Sequence, residues 1–137
     1  MKRLFFDANV LFTAAHNTNG KAALLTSLGE QGIFELYSST YANDEASRNL
    51  ARKCSSCLTR FERIMAAITL ITGHSLQTCP AGLPEKDWPI YRAAHACQAD
   101  VLVTGDLRDF GALMNQPERA DGLLIQTTAD VLNTLSF

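Results

Sequence analysis

The sequence lacks the long apolar run that a membrane-spanning helix requires. No stretch of its 137 residues approaches the roughly 20 consecutive apolar residues needed to cross a bilayer. The opening Met1-Lys2-Arg3 leads directly into the apolar Leu4-Phe5-Phe6, without the small-residue cleavage site of a signal peptide. We therefore expect a cytoplasmic protein that does not associate with a membrane.

The sequence also lacks an excess of positive charge. Its 12 Lys and Arg residues are outnumbered by 14 Asp and Glu residues, which gives a formal net charge of −2. A surface with this balance does not attract nucleic acid as a whole, so a phosphate-bearing partner must be held by a local basic patch or by bound metal. Such a patch is predicted between positions 48 and 63, which contain Arg48, Arg52, Lys53, Arg60 and Arg63.

Cysteine is scarce. Cys54 and Cys57 have the spacing of half a zinc site, but only His74 and Cys79 could complete it. The pair does not follow a strand, as the cysteines of a thioredoxin-like redox site would. Cys97 falls on an apolar helical face, where a thiol acts as a small hydrophobic side chain. We expect reduced thiols without a catalytic role, with a structural zinc site or a redox pair as weaker alternatives.

What the sequence does contain is enough apolar residues for one domain over residues 1–137. Its content is 47% hydrophobic and 19% charged, which suits a sizeable core. Apolar runs and helical periodicity alternate along the whole chain, and this alternation predicts an α/β fold with a parallel sheet covered on both faces. The strands are expected at residues 4–6, 33–37, 68–71, 101–103 and 123–125, and the helices at 8–12, 21–31, 41–53, 58–67, 87–98, 107–110 and 127–135.

Acidic residues stand where several of these elements meet. The run Val101-Leu102-Val103 is typical of a buried parallel strand, and Asp106 and Asp109 follow it closely. Asp7 ends the first predicted strand, and Asp87 begins a helix. Ligands of open α/β sheets gather beyond the carboxyl ends of the strands, which favours a site there. Helix capping is the alternative interpretation of each of these acids.

The helix predicted over residues 41–53 carries Glu45. At 100° per residue, Arg52 lies about 20° and Arg48 about 60° from Glu45 around the helix axis. One interpretation is a solvated face with intrahelical ion pairs, each worth a few tenths of a kcal/mol. The other is that Arg48 and Arg52 belong to the basic patch that a phosphate-bearing partner would need.

Several carboxylates at one sheet edge repel each other unless a divalent cation neutralises them. Oxygen ligands without His or Cys indicate the hard ions Mg²⁺ or Mn²⁺, which also bind substrate phosphates. Such a site suits phosphodiester cleavage. One metal would polarise the attacking water and stabilise the transition state, and a second would stabilise the leaving 3′ oxygen.

Four segments, in order along nearly the whole chain, resemble PIN-domain ribonucleases, a family that includes the toxins of VapBC-type toxin–antitoxin pairs. The segments are Phe5-Phe6-Asp7-Ala8-Asn9-Val10-Leu11, then Glu45-Ala46-Ser47-Arg48-Asn49-Leu50, then Asp87 ahead of Ile90 and Ala93-Ala94, and finally Thr104-Gly105-Asp106 followed by Asp109-Phe110.

The resemblance implies a single three-layer α/β/α sandwich and Mg²⁺-dependent or Mn²⁺-dependent endonucleolytic cleavage of RNA. It also implies an antitoxin protein as partner and a homodimer. With RNA as the substrate, the basic patch predicts that Arg48 and Arg52 contact the RNA. The catalytic and metal-binding acids it implies are Asp7, Glu45, Asp87 and Asp106, with Asp109 as a fifth carboxylate and with Asn9 and Thr104 as polar neighbours that orient the cluster.

Other functions are compatible with parts of this pattern. A catalytically inert PIN-fold binding module and a housekeeping RNA-processing nuclease remain alternatives. A phosphatase of the haloacid dehalogenase type needs Asp-x-Asp after the first strand, whereas this chain has Asp7-Ala8-Asn9. A response-regulator receiver needs a second acid beside Asp7, a phosphoacceptor Asp after the third strand and a Lys after the last, and none of these is evident.

Overall fold

Within residues 1–72 and 75–135, which this computed structural model describes, five short strands form a single sheet. All the strand pairs are parallel, and the strand order is β3-β2-β1-β4-β5. This confirms the predicted α/β class and its parallel sheet. The strands are β1 (Arg3–Phe6), β2 (Glu35–Ser39), β3 (Thr69–Ile71), β4 (Val101–Val103) and β5 (Leu124–Gln126).

The helices follow the order that the sequence predicts, with ends that differ by a few residues. Short 3₁₀ turns occur at Ser55–Cys57, Glu85–Asp87, Gly111–Leu113 and Pro117–Arg119. The α-helices are α1 (Ala8–His16), α2 (Lys21–Glu30), α3 (Thr40–Lys53), α4 (Leu58–Met65), α5 (Trp88–Ala96), α6 (Leu107–Phe110) and α7 (Thr128–Asn133).

Local chemistry sets several of these helix ends. The backbone turns after α2 at Gly32, whose φ of 84° suits glycine. Ser39 caps α3 by accepting a hydrogen bond from the backbone N–H of Ala42. Thr127 and Asp130 form a reciprocal capping box at the start of α7.

The helices cover both faces of the sheet. Helix α1 packs against α2, α3 and α4, while α5 packs against β2 and β4. Parallel strands are almost always joined by right-handed crossovers, and with this strand order such crossovers put the helices of the β1-β2-β3 half on one face and α5 on the other. The strand order changes direction between β1 and β4, so the sheet has a switch point there, where α/β folds form a crevice for ligands.

The core holds the two central strands in fixed positions. Leu4, Phe5 and Phe6 of β1 are fully buried, as is Leu102 of β4, as expected for a parallel sheet covered on both faces. Phe6 pairs with Val103, so the residues that follow these two strands emerge side by side. The core thereby fixes the position of the sheet edge at which the predicted acids stand.

The expectation of reduced thiols is wrong for Cys54 and Cys57, which form a disulfide bond. Helix α3 ends just before Cys54, and the 3₁₀ turn Ser55–Cys57 folds the chain back so that the two Cα atoms lie 5.4 Å apart. That distance falls within the range a disulfide spans. A disulfide leaves no thiolates for a zinc ion, and His74 lies outside the described residues. Cys97 is a buried free thiol, as predicted.

In the part of the chain that the structure describes, every helix is too short or too polar to cross a bilayer.

Candidate active site

Asp7 follows β1 directly and is almost completely buried. Its Oδ1 accepts a hydrogen bond of 2.7 Å from the N–H of Ala8, so Asp7 caps α1. Its Oδ2 accepts hydrogen bonds of 2.8 Å from Thr104 Oγ1 and 3.1 Å from Asn9 Nδ2. The carboxylate is therefore held in one orientation by both of its oxygens.

The pKa of Asp7 is raised above its ordinary value. The largest cause is burial, which disfavours the charged form, and the hydrogen bonds from Thr104 and Ala8 oppose it. The negative charges of Glu45 and Asp106 raise the pKa further. Glu45 thus lies near enough to act electrostatically on Asp7.

Asn9, in the first turn of α1, and Thr104, directly after β4, join the segments that follow β1 and β4. Asn9 Oδ1 accepts a 2.7 Å hydrogen bond from the N–H of Gly105, and Thr104 Oγ1 accepts a 3.0 Å bond from the N–H of Asp106. A Cβ atom at Gly105 would lie 3.3 Å from Asn9 Oδ1, so the close approach of the loops favours glycine there. These bonds place Asp7 and Asp106 in fixed relation to each other.

Asp106 caps the short helix α6. Its Oδ1 accepts a 3.0 Å hydrogen bond from the N–H of Asp109. The capping alternative is therefore correct as a local description of both Asp7 and Asp106. Capping occupies one oxygen of the Asp106 carboxylate, so it is compatible with a second role for the other oxygen.

Asp87 is not a helix cap, and the capping interpretation is wrong for this residue. It lies at the end of the 3₁₀ turn Glu85–Asp87 in a helical conformation, and its side chain makes no capping hydrogen bond. Its Oδ2 is buried and has no hydrogen-bond partner among the described residues. Burial, followed by the neighbouring Asp109, raises the pKa of Asp87 to about 7.

Asp87, Asp106 and Asp109 form an acidic triad. Each offers one carboxylate oxygen, and these three oxygens lie within 4.8 Å of one another. Asp109, expected only as an additional carboxylate, is thus central to the group. Glu45, expected as a ligand, does not belong to it among the described residues. Like charges at this distance repel strongly unless a cation lies between or beside them.

Lys86 also reaches this cluster, and sequence reasoning missed it. Its Nζ lies 3.0 Å from Asp109 Oδ2, while its side chain remains 70% exposed. This ion pair lowers the pKa of Asp109 and raises that of Lys86. The only signal in the sequence is its position directly before Asp87, which does not distinguish it from other surface lysines.

The donor set fits a hard divalent cation. The oxygen Asp87 Oδ2 is buried and makes no hydrogen bond within the described residues, whereas Asp109 Oδ2 has the Lys86 ammonium 3.0 Å away. An unsatisfied buried polar atom costs roughly 1–3 kcal/mol, and a bound cation would supply the partner that Asp87 Oδ2 lacks. Mg²⁺ and Mn²⁺ prefer carboxylate oxygens, and the triad could hold either ion.

The predicted basic patch is only partly free. Arg48 and Arg52 are exposed on α3, and Arg52 Nη2 donates a 2.6 Å hydrogen bond to Asn49 Oδ1. In the described ranges neither arginine forms an ion pair, so the alternative of intrahelical ion pairs with Glu45 is not observed. Lys53 and Arg60 contact α1 through a ring and a carbonyl oxygen, respectively.

Comparison with known proteins bears on the fold. No family model matches the chain, and no curated protein matches it. A similar solved structure is that of VapBC2 from Rickettsia felis bound to a DNA fragment from their promoter. The TM-score is 0.62 at 13% identity, and the match covers 91% of this chain and 98% of that chain. The fold is therefore PIN-like, as the sequence resemblance implied.

Proposed function

We propose that this chain is a Mg²⁺-dependent or Mn²⁺-dependent endoribonuclease that hydrolyses RNA phosphodiester bonds. We further propose that it is a single PIN-like domain that acts in the cytoplasm as the toxin of a toxin–antitoxin pair. The observation that carries the proposal is the acidic triad at the switch point of the sheet, in which the buried Oδ2 of Asp87 has no hydrogen-bond partner among the described residues.

The residues proposed to hold the metal are those of the triad, together with Asp7. When bound, the cation supplies a polarised water and a positive charge that stabilises the transition state of phosphoryl transfer. The proposed site also includes the carboxylate of Glu45, which lies on α3. Asn9 and Thr104 are positioning residues, because their hydrogen bonds fix the Asp7 carboxylate.

In the proposed reaction, the oxygen of water forms a bond to phosphorus, and the bond between phosphorus and the 3′ oxygen breaks. The leaving 3′ oxygen takes up a proton, so the products carry a 5′-phosphate and a 3′-hydroxyl. Arg48 and Arg52, both exposed on α3, are proposed to contact phosphates of the bound strand. These contacts would compensate for the net negative charge of the chain.

A cleavage assay tests the nuclease proposal. Asp106→Asn keeps the capping oxygen but removes the charge, so we expect it to lower metal-dependent RNA cleavage at least a hundredfold, and we expect a chelator to abolish cleavage by the wild type. Glu62→Gln, which removes an exposed acid on α4, is the matched control. Cleavage that survives the chelator, or Asp106→Asn activity within tenfold of wild type, contradicts the proposal. RNA binding without cleavage would favour the inert binding module.

The proposed antitoxin partner is supported by the likeness to a VapBC2 structure. A homodimer is part of the same proposal. If the chain is such a toxin, its expression without a partner should arrest growth, and Asp106→Asn should relieve the arrest. Harmless expression of the wild type at high level would instead favour a housekeeping nuclease.

A further inference from the structure

A pocket of about 270 Å³ lies at the carboxyl ends of β2 and β3, the edge of the sheet at which the acids stand. It is lined by Ser39 and Ile71, the last residues of these two strands, and by residues of the N-terminal halves of α3 and α5. Pro89, which lines the pocket, stands two residues after Asp87. The start of α5 therefore connects the pocket to one of the proposed metal ligands.

We propose that this pocket binds one nucleobase of the RNA strand, adjacent to the phosphate that is cleaved. The inference rests on the proposed ribonuclease function and deepens it, because it assigns a subsite that would determine which sequences are cut.

The position of the pocket suits a neighbouring nucleotide. Asp7 and Asp106 follow β1 and β4, whereas the pocket lies at the ends of β2 and β3. Strands in a sheet are about 4.8 Å apart, so the pocket is displaced by one to two strand spacings, or roughly 5–10 Å, from Asp7, and by two to three spacings from Asp106. The shorter of these displacements is comparable with the length of one nucleotide.

Tyr41 gives the pocket an aromatic wall. The residue is 44% exposed, so part of its ring is available to a ligand. Its hydroxyl donates a 3.2 Å hydrogen bond to the carbonyl oxygen of Lys86, the residue that precedes Asp87. The ring is thus tethered to the segment that carries Asp87, and an exposed ring held in this way is a stacking platform for a base.

The rest of the lining combines apolar and polar groups, as a nucleobase requires. Ile71 and Pro89 supply apolar surface for the face of the base, and Thr72 and Arg92 supply polar groups for its edges. Arg92 is held in place, because its Nε donates a 2.9 Å hydrogen bond to Gln77 and its guanidinium lies 5.2 Å from the centre of the Trp88 ring.

The volume of the pocket limits what it can accept. Pockets for drug-sized ligands occupy about 300–1,000 Å³, so a volume of about 270 Å³ is just below that range and has room for a nucleobase. A base can leave its stack and enter a protein pocket when it is unpaired, so the proposed substrate is single-stranded at this position.

The test combines changes in the protein with changes in the substrate. Single-stranded oligonucleotides with one defined cleavage site are prepared with and without a single abasic position on either side of that site. We expect Tyr41→Ala to raise KM by roughly 5- to 100-fold with little change in kcat, the range for loss of one stacked base. Tyr41→Phe keeps the ring and should retain most of the affinity. Ile33→Ala, which trims an exposed side chain before β2, is the control.

The abasic substrates give the decisive comparison. At one of the two positions, removing the base should lower the affinity of the wild type for the substrate as much as the substitution Tyr41→Ala does. At that same position, removing the base should lower the affinity of Tyr41→Ala little further. The same comparison is made by measuring binding affinity in the presence of a chelator, from the fluorescence anisotropy of labelled oligonucleotides. This readout does not depend on cleavage. An equal abasic penalty in the wild type and in Tyr41→Ala, at both positions and in both assays, overturns the pocket assignment while leaving the ribonuclease proposal intact. Failure of the wild type to bind or cleave any RNA overturns both.

Discussion

Asp87→Asn should stabilise the metal-free protein at neutral pH. In the fold, burial and the neighbouring Asp109 raise the pKa of Asp87 from 3.8 to about 7. At 1.36 kcal/mol per pKa unit, this change corresponds to a free-energy cost of at most about 4 kcal/mol for keeping the Asp87 carboxylate ionised in the folded protein. The side chain is half-buried, so solvent screening should reduce the effect to about 1–2 kcal/mol.

The direction of the pH dependence follows from which state binds more protons. Between about pH 4 and pH 7, Asp87 is protonated in the folded protein and ionised in the unfolded chain, so its stabilising contribution is lost as the pH rises. The pKa of Asp109 is shifted in the opposite direction, because Lys86 lowers it. The stability that Asp109 contributes is lost only when the pH falls below the ordinary pKa range of Asp. It therefore does not cancel the stability that is lost through Asp87 as the pH rises.

Urea denaturation in the presence of a chelator measures this effect. The free energy of unfolding of the wild type should be lower at pH 7.5 than at pH 5.5, and the change between the two pH values should be smaller in Asp87→Asn by about 1–2 kcal/mol. Asn preserves the volume of the side chain, and Asp87 makes no capping bond that the substitution could break. An identical loss of stability in both proteins would refute the assignment of a buried, repelled carboxylate at this position.

Three further predictions concern charge and covalent structure around the site. Lys86→Met removes the ammonium beside Asp109, which would repel a metal ion, so the substitution should tighten Mn²⁺ binding by about tenfold in calorimetry. Unchanged or weaker binding would contradict a competition between Lys86 and the metal. Arg52→Ala should reduce the salt slope of RNA binding by about 0.7, the value for one phosphate contact to a single strand, and an unchanged slope would leave Arg52 as an ordinary solvated side chain. Replacing Cys54 and Cys57 by Ser should lower the stability of the oxidised protein by about 1–2 kcal/mol; a reductant should produce the same loss in the wild type, and no loss in either case would contradict the disulfide.

The alternation of apolar runs predicted the order of helices and strands, because each pattern records which faces of an element are buried. The same reasoning placed Asp7 and Asp106 together, since each follows a central strand and parallel strands end at one edge. Asp87 could be placed only near that edge. Its unpartnered oxygen depends on the 3₁₀ turn that precedes α5, and periodicity does not predict such turns.

Other parts of the site depend on tertiary contacts that the sequence does not encode locally. Lys86 reaches Asp109 across 23 positions of chain, and Tyr41 reaches Lys86 across 45. Both contacts are set by how two elements pack, so neither has a signature in the spacing of residues. The Cys54–Cys57 bond is local and its spacing is visible in the sequence, but the spacing alone does not predict the 3₁₀ turn that brings the two cysteines within bonding distance.

The structure also changes which substitution tests the site best. From the sequence, Asp7→Asn removes one charge without changing volume. In the fold, Asp7 Oδ2 accepts from Asn9 Nδ2 and Thr104 Oγ1, so an amide group there would face the amide of Asn9. Asn9 cannot simply turn over, because its Oδ1 accepts from Gly105. Asp7→Asn therefore disturbs the hydrogen bonds that orient the cluster, and Asp106→Asn is the cleaner change.

The central claim is that the carboxylates at the switch point form one divalent-cation site, and a calorimetric titration with Mn²⁺ tests it most directly. The wild type should show one saturable site with a Kd in the millimolar range or tighter. Asp109→Asn should weaken Mn²⁺ binding at least tenfold, because it removes one charged ligand of the triad. The control Glu62→Gln should bind Mn²⁺ as the wild type does. Absence of saturable binding by the wild type, or equal affinity in Asp109→Asn, would contradict the account.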